Sequence, residues 1–252
     1  MSCASRGASK PLAALALALT LAGAGLARAS DPEPAQEKPQ AQSAPAAPQA
    51  TDEACRKRAI EAVQRRYEGI RDLRARFVQT TSGASVGARA PVQTTSRGVV
   101  VVAKPSRMRW TYEAPEASVV VSDGKTLWIY DPGFGEVQRM AVGDGFLSGA
   151  ALQFLLGRGE MEREFEVRLI SCGAEAVELE LTPREPTSYE KLRLLADPRS
   201  GNVSRTRITD LLGNVAEVAF SEIEVNLGPS ADVFRFEPPA GVRVIDVAPT
   251  AP

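Results

Sequence analysis

No histidine occurs anywhere in the chain. That absence removes the commonest general base, the commonest metal ligand and every Ser-His or Cys-His nucleophile arrangement. No phosphate loop or dinucleotide fingerprint is present, and the segment GFLSG from Gly145 has its serine one place too late for a nucleophile elbow. Carboxylates are plentiful, but they sit in strand-like runs such as EREFEVR and VELEL, the pattern of a solvated strand face rather than of a glycosidase pair. Charge of one sign is also missing: 30 Lys and Arg stand against 31 Asp and Glu, so no strongly basic face is available for nucleic acid. With no metal or cofactor set in view, the chain reads as a binder and not as an enzyme.

Long apolar runs are absent except at the start. Arg6 and Lys10 precede an apolar run from Pro11 to Ala24, and Ala27-Arg28-Ala29 follows with the small-x-small cleavage pattern. Residues 1–29 therefore read as a cleaved export signal whose apolar run is too short to span a bilayer. No cysteine closes that run, since Leu21-Ala22-Gly23 continues into Ala24, so the expected product is soluble and not anchored by lipid. Cleavage removes Arg6, Lys10 and Arg28 and no acid, taking the formal charge from −1 to −4. Residues 30–51, rich in Pro, Ala and Gln and lacking any large apolar side chain, read as a disordered linker. The remaining stretch, 52–252, is long enough for one domain with a sizeable core.

Cysteine is scarce, and Cys3 leaves with the signal. Cys55 and Cys172 remain, an even pair in an oxidising compartment. A single disulfide is the leading reading, with two buried free thiols as the alternative.

Helical periodicity is confined to the start of the domain. Thr51 or Asp52 can cap a helix running to about Ile70, with Ile60, Val63, Tyr67 and Ile70 on one stripe. Beyond it the period changes to two. Leu73, Ala75 and Phe77 alternate, Gly98 to Ala103 is β-branched through its centre, and Met108, Trp110 and Tyr112 alternate with Arg107, Arg109 and Thr111. Asp123-Gly124 between VVV and LWIY signals a hairpin. Its second strand puts Leu127 and Ile129 on one face and Trp128 and Tyr130 on the other, and neither face is polar. Further runs (EVQRMAV, EFEVRLI, AVELELT, YEKLRLLA, VSRTRIT, NVAEVAFSEIEV and VFRF) bring the count to about eleven strands, the spacing of an antiparallel barrel or sandwich. One segment interrupts the series: GFLSGAALQFLLG carries no charge from Gly145 to Gly157 and is apolar almost all round. It is either a core helix or a lid over a cavity.

Several of these parts, taken in order, resemble the LolA-type family of periplasmic outer-membrane lipoprotein carriers. They are a helix followed by Phe77-Val78-Gln79, then Lys104-Pro105 and Arg109-Trp110, the SDGKTLWIYDP hairpin, Phe154-Leu155-Leu156, Asp210 with Gly213, and the terminal FRFEPPAGVRVI. The resemblance spans residues 52–247. It implies a mainly β fold: an incomplete, strongly curved antiparallel barrel with helices covering the open mouth. It further implies a monomeric periplasmic chaperone without cofactor, whose apolar interior holds the acyl chains of lipoproteins. Cargo would come from an inner-membrane ATP-binding-cassette extractor and pass to an outer-membrane acceptor.

The resemblance also assigns roles. Lys104, where arginine is the frequent choice, would latch the lid by hydrogen bonds to its backbone carbonyls. Phe77, Met108, Trp110 and Tyr112 would wall the cavity, with Met108 also docking the extractor. Phe146, Leu147, Phe154 and Leu155 would form the lid. A related reading keeps the same half-barrel as a sensor that binds mislocalised lipoproteins or acyl ligands and regulates a signalling partner.

Overall fold

The computed structural model describes residues 50–84, 92–142 and 160–247. Helix α1 (Ala50–Glu68) opens the domain, with Asp52 and Glu53 in its first turn and Arg65 and Arg66 in its last, charges that complement the helix dipole. Ala59, Ile60, Val63 and Tyr67 are buried along it, and Ile70 just beyond. The strands follow: β1 (Asp72–Ser82), β2 (Gln93–Ala103), β3 (Arg107–Ala114), β4 (Ser118–Ser122), β5 (Thr126–Asp131) and β6 (Glu136–Ala141). A single turn of helix, α2 (Met161–Glu164), then leads into β7 (Phe165–Cys172), β8 (Val177–Pro183), β9 (Tyr189–Ala196), β10 (Val203–Asp210) and β11 (Val215–Val225). A 3-10 turn at Ala231–Phe234 and a last strand, β12 (Arg243–Asp246), complete the described chain.

All twelve strands form one curled sheet in the order β12-β6-β5-β4-β3-β2-β1-β11-β10-β9-β8-β7. The end strands β12 and β7 do not pair with each other, so the barrel is incomplete, as expected. Pairing is antiparallel except between β12 and β6, which run parallel. One expected strand is corrected. VFRF forms no strand: Val233 and Phe234 end a 3-10 turn capped where the Ser230 hydroxyl accepts from the Asp232 amide at 3.3 Å, and the turn carries Phe234 into the core at 1% exposure. The strand at this end is RVID instead, and the sheet has twelve strands, in line with the expected count of about eleven.

Register puts every second residue on the face that α1 covers, called the inner face below. Leu73 pairs with Val102, Val102 with Met108, Met108 with Ser122, Ser122 with Leu127, and Leu127 with Met140. The next row runs Ala75, Val100, Trp110, Val120, Ile129. The opposite face carries charge over most of the sheet. There Arg193 meets Glu180 at 2.9 Å and Glu178 at 3.7 Å, Arg205 meets Glu217 at 3.6 Å, and Arg74 meets Glu224 at 2.9 Å. Apart from Glu180, which is 8% exposed, these groups are the solvated strand face expected of EREFEVR and VELEL, and the exposed pairs each add little stability.

Over β4 and β5 the opposite face is apolar (Val119, Val121, Trp128 and Tyr130), flanked by Arg107 and Arg109 of β3 and Arg139 of β6, and the chain after β11 covers it. Arg109 Nη1 donates to the Val233 carbonyl at 3.2 Å, the Arg107 guanidinium lies 5.1 Å from the centre of the Phe234 ring, and Phe236 sits 5.7 Å from Trp128 and 5.9 Å from Tyr130. Val121 and Val137, on the same face, have no exposed surface. β12 then extends the sheet through ion pairs Arg139–Asp246 and Arg243–Glu136. Trp128 and Tyr130 thus belong to the outer layer, and Leu127 and Ile129 to the inner one.

Gly98 shows how closely the inner rows pack. It pairs with Phe77 and with Tyr112, and a Cβ there would fall on the Thr111 carbonyl and 3.1 Å from the Phe77 ring. Gly98→Ala is expected to cost about 1–3 kcal/mol through overpacking, read as a lower denaturant midpoint at unchanged slope.

Candidate functional site

The inner face divides into two halves that differ in how completely they are covered. Beneath α1, strands β7 to β10 form a solid core. Val63, Val177, Leu179 and Leu181 have no exposed surface there, and Met161, Phe165, Leu192 and Leu194 have 1–2%. The other half, made by β11 and β1 to β6, has a thin buried layer of Ala75, Phe77 and Val100 and a second one of Met108 and Leu127. Around those layers Trp110, Tyr112, Val120, Ile129, Met140, Val218 and Phe220 are only half-buried.

Aromatic side chains organise this second half. Phe77 meets Trp110 edge-on with ring centres 4.8 Å apart and Tyr112 at 5.1 Å, while Trp110 and Tyr112 lie nearly parallel at 6.5 Å. The Tyr112 hydroxyl donates to Gln79 Oε1 at 3.1 Å, and burial pushes its pKa up. The surface these groups present is predominantly apolar and carries no charged side chain, which suits hydrocarbon.

Lys104 stands where the two halves meet. Its Nζ donates to the Tyr67 carbonyl at 2.8 Å and to the Glu68 carbonyl at 3.2 Å, the last carbonyls of α1, and its backbone amide donates to Arg71 at 2.8 Å. A cation at a helix C-terminus also complements the dipole. Partial burial lowers the Lys104 pKa, and Glu68 opposes that shift. Tyr67, one of the two residues it holds, is pushed up to about 12 by burial, with the Val203 backbone and Arg66 pulling the other way.

Phe77, Met108, Trp110 and Tyr112 are therefore brought together on one face. Met108 is 9% exposed and packs with Leu127, so docking a partner there would require it to be uncovered. Cys55 and Cys172 are disulfide-bonded with Cα atoms 6.5 Å apart, joining the first turns of α1 to the end of β7. Phe146, Leu147, Phe154 and Leu155 lie outside the described residues. Sequence reasoning missed Val120, Ile129, Met140, Val218 and Phe220 as members of the same surface. Alternation marks each as one face of a strand, but only register says which face.

Among the described residues no group of His, Cys, Asp and Glu could hold a metal ion, and no helix is long and apolar enough to cross a membrane. Comparison with known proteins gives a consistent result. The family model described as outer membrane lipoprotein carrier protein LolA matches residues 68–237. The outer-membrane lipoprotein carrier protein of Cupriavidus taiwanensis is 30% identical over 188 residues, covering 74% of this chain and 87% of that protein. That of Nitrosospira multiformis is 32% identical over 178 residues, 71% of this chain and 84% of its own length. That of Halorhodospira halophila is 31% identical over 195 residues, 75% and 86% respectively.

Proposed function

Because the chain belongs to the LolA family of outer-membrane lipoprotein carrier proteins, we propose that it ferries lipoproteins across the periplasm with their acyl chains held on the half-covered inner face. The observation that carries this reading is the row of half-buried apolar side chains, Trp110, Tyr112, Val120, Ile129, Met140 and Phe220, on one side of an open sheet. The export signal at residues 1–29 supports the compartment. Cargo is taken from an inner-membrane ATP-binding-cassette extractor and delivered to an outer-membrane acceptor, and no chemical step on the cargo is needed.

The energetics favour a surface of this kind. Each methylene kept from water is worth about 0.8 kcal/mol, so a dozen are worth on the order of 10 kcal/mol, and a free lipoprotein almost never leaves a membrane unaided. A carrier has to approach that figure without exceeding it. Loose aromatic and methionine walls, here Trp110, Tyr112 and Met140, hold hydrocarbon without the close fit that would prevent release.

Displacement of an environment-sensitive fatty-acid probe by a synthetic tripalmitoyl-cysteinyl peptide tests the reading. Saturable displacement near one peptide per protein is expected, with Trp110→Ala weakening it roughly 5–30-fold, the equivalent of about 1–2 kcal/mol. A protein that binds neither the probe nor the lipopeptide while remaining folded by circular dichroism would overturn the proposal.

A further inference from the structure

Resting on the carrier reading, we infer that acyl chains occupy only the half of the inner face built by β11 and β1 to β6, and that α1 with β7 to β10 is a cross-linked wall that stays in place while cargo enters. The observation behind this is the number and spread of the ties on α1. At its first turns Cys55 is bonded to Cys172 of β7, and Arg56 reaches Glu162 of α2 at 2.8 Å. In the middle Gln64 Oε1 accepts from the Met161 amide at 3.2 Å, and Arg66 Nε donates to Asn202 Oδ1 at 2.7 Å.

The packing leaves no slack between those ties. Gly201, in the turn between β9 and β10, has φ +72° and lies so close to α1 that a Cβ would fall on the Ala62 carbonyl. Helix backbone thus rests directly on the turn, and only glycine permits both the left-handed conformation and the approach. Val63 beneath it has no exposed surface. Admitting hydrocarbon under this part of α1 would require lifting a close-packed helix against a covalent bond.

The last turn is different. From Tyr67 onward the chain has no covalent tie. It is held by the buried Tyr67 side chain, by Asn226, which bonds the Gly69 carbonyl at 3.3 Å and the Arg71 amide at 2.7 Å, and by Lys104, whose two hydrogen bonds are to backbone carbonyls and whose side chain is only partly buried. Ile70 and Leu73 carry the chain from this turn into β1, and Leu73 packs against both the solid core and the aromatic half. Any yielding of α1 is therefore confined to its C-terminal turn, at the border of the half-covered surface. The disulfide sets that limit: it converts α1 from a cover that could swing away into a wall that can only loosen at one end.

Hydrogen exchange on the full disulfide-bonded protein, with and without the tripalmitoyl-cysteinyl peptide, tests this. Backbone amides of residues 56–66 are expected to exchange at the same slow rate in both states, while those of 67–71, 108–112 and 127–129 change on binding. A bromine-labelled form of the same peptide, bromines in the acyl chains, is expected to quench Trp110 emission in Trp128→Phe protein and to leave Trp128 emission in Trp110→Phe protein largely intact. Binding accompanied by faster exchange through residues 56–66, or equal quenching of both tryptophans, would overturn the confined site and leave the carrier reading standing. Failure to bind the peptide at all would overturn both.

Discussion

Lys104→Leu is expected to load acyl probes more readily than the parent protein and to surrender lipoprotein to an acceptor more slowly. The reasoning starts from the two hydrogen bonds of its ammonium, 2.8 Å to Tyr67 and 3.2 Å to Glu68. Charge-assisted hydrogen bonds contribute about 1.5–3 kcal/mol, and partial exposure of Lys104 brings that toward about 1–2 kcal/mol. Once they are lost, the empty protein no longer gains that energy on closing, so loading gains and release loses by the same roughly 5–30-fold. Transfer of a labelled lipoprotein to acceptor-bearing vesicles measures the release, and unchanged transfer would count against a latch.

The chemistry of the residue adds a pH signature. Burial lowers the Lys104 pKa from 10.5, so the ammonium is lost at a lower pH than in a free lysine. By linkage, the state in which Lys104 is buried against α1 gains over one in which it is solvated as pH rises toward 10.5, so probe loading is expected to fall with it. Folding stability rises over the same range, because a charge disfavoured by burial costs stability while it persists, and that cost falls away as the proton leaves. Loading and melting are thus linked readouts. Lys104→Arg keeps its charge over the whole range and offers a planar fork of donors, so its loading is expected to be lower and flat with pH.

Removing the disulfide is expected to have the largest effect on stability. Cys55 and Cys172 are 117 residues apart, and in the chain-entropy model a closed loop of that length is worth roughly 4–5 kcal/mol. For a domain of this size each kcal/mol corresponds to about 2–4 °C, so the Cys55→Ser, Cys172→Ser double variant should melt roughly 8–20 °C lower. Calorimetry on both proteins at one scan rate measures this. A melting temperature within about 2 °C of the parent would show that the other ties on α1 suffice, contrary to what loop length predicts. The same variant bears on function, because the bond is what restrains the N-terminal part of α1.

Particular residues show how far the sequence could be read. Ile60, Val63, Tyr67 and Ile70 were legible as a buried stripe because a helix repeats its faces whatever it packs against. Period-two alternation likewise marked the strands from β1 to β11. VFRF misled because its alternation is that of a strand, yet Ser230 caps a 3-10 turn and Phe234 is drawn into the core. RVID, four residues long and carrying Arg243 and Asp246, has too little apolar pattern to announce itself, and it pairs only because β6 offers an edge with Glu136 and Arg139 in register.

Trp128 and Leu127 mark the boundary between the two kinds of knowledge. Local sequence by itself determined that they point to opposite faces and that neither face is polar. Motif order added the family. Which side faces the acyl surface was decided only by tertiary structure, because it depends on register accumulated across six strands and on where the C-terminal segment crosses. Alternation is a property of the neighbouring peptide unit and survives in any context. The surroundings on each face, Phe236 over Trp128 on one side and the half-buried apolar row beside Leu127 on the other, come from residues a hundred or more positions away along the chain or from strands paired one after another. The same holds for Lys104, whose place before a proline is written in the sequence but whose partners, Tyr67 and Glu68, are chosen by the docking of a helix.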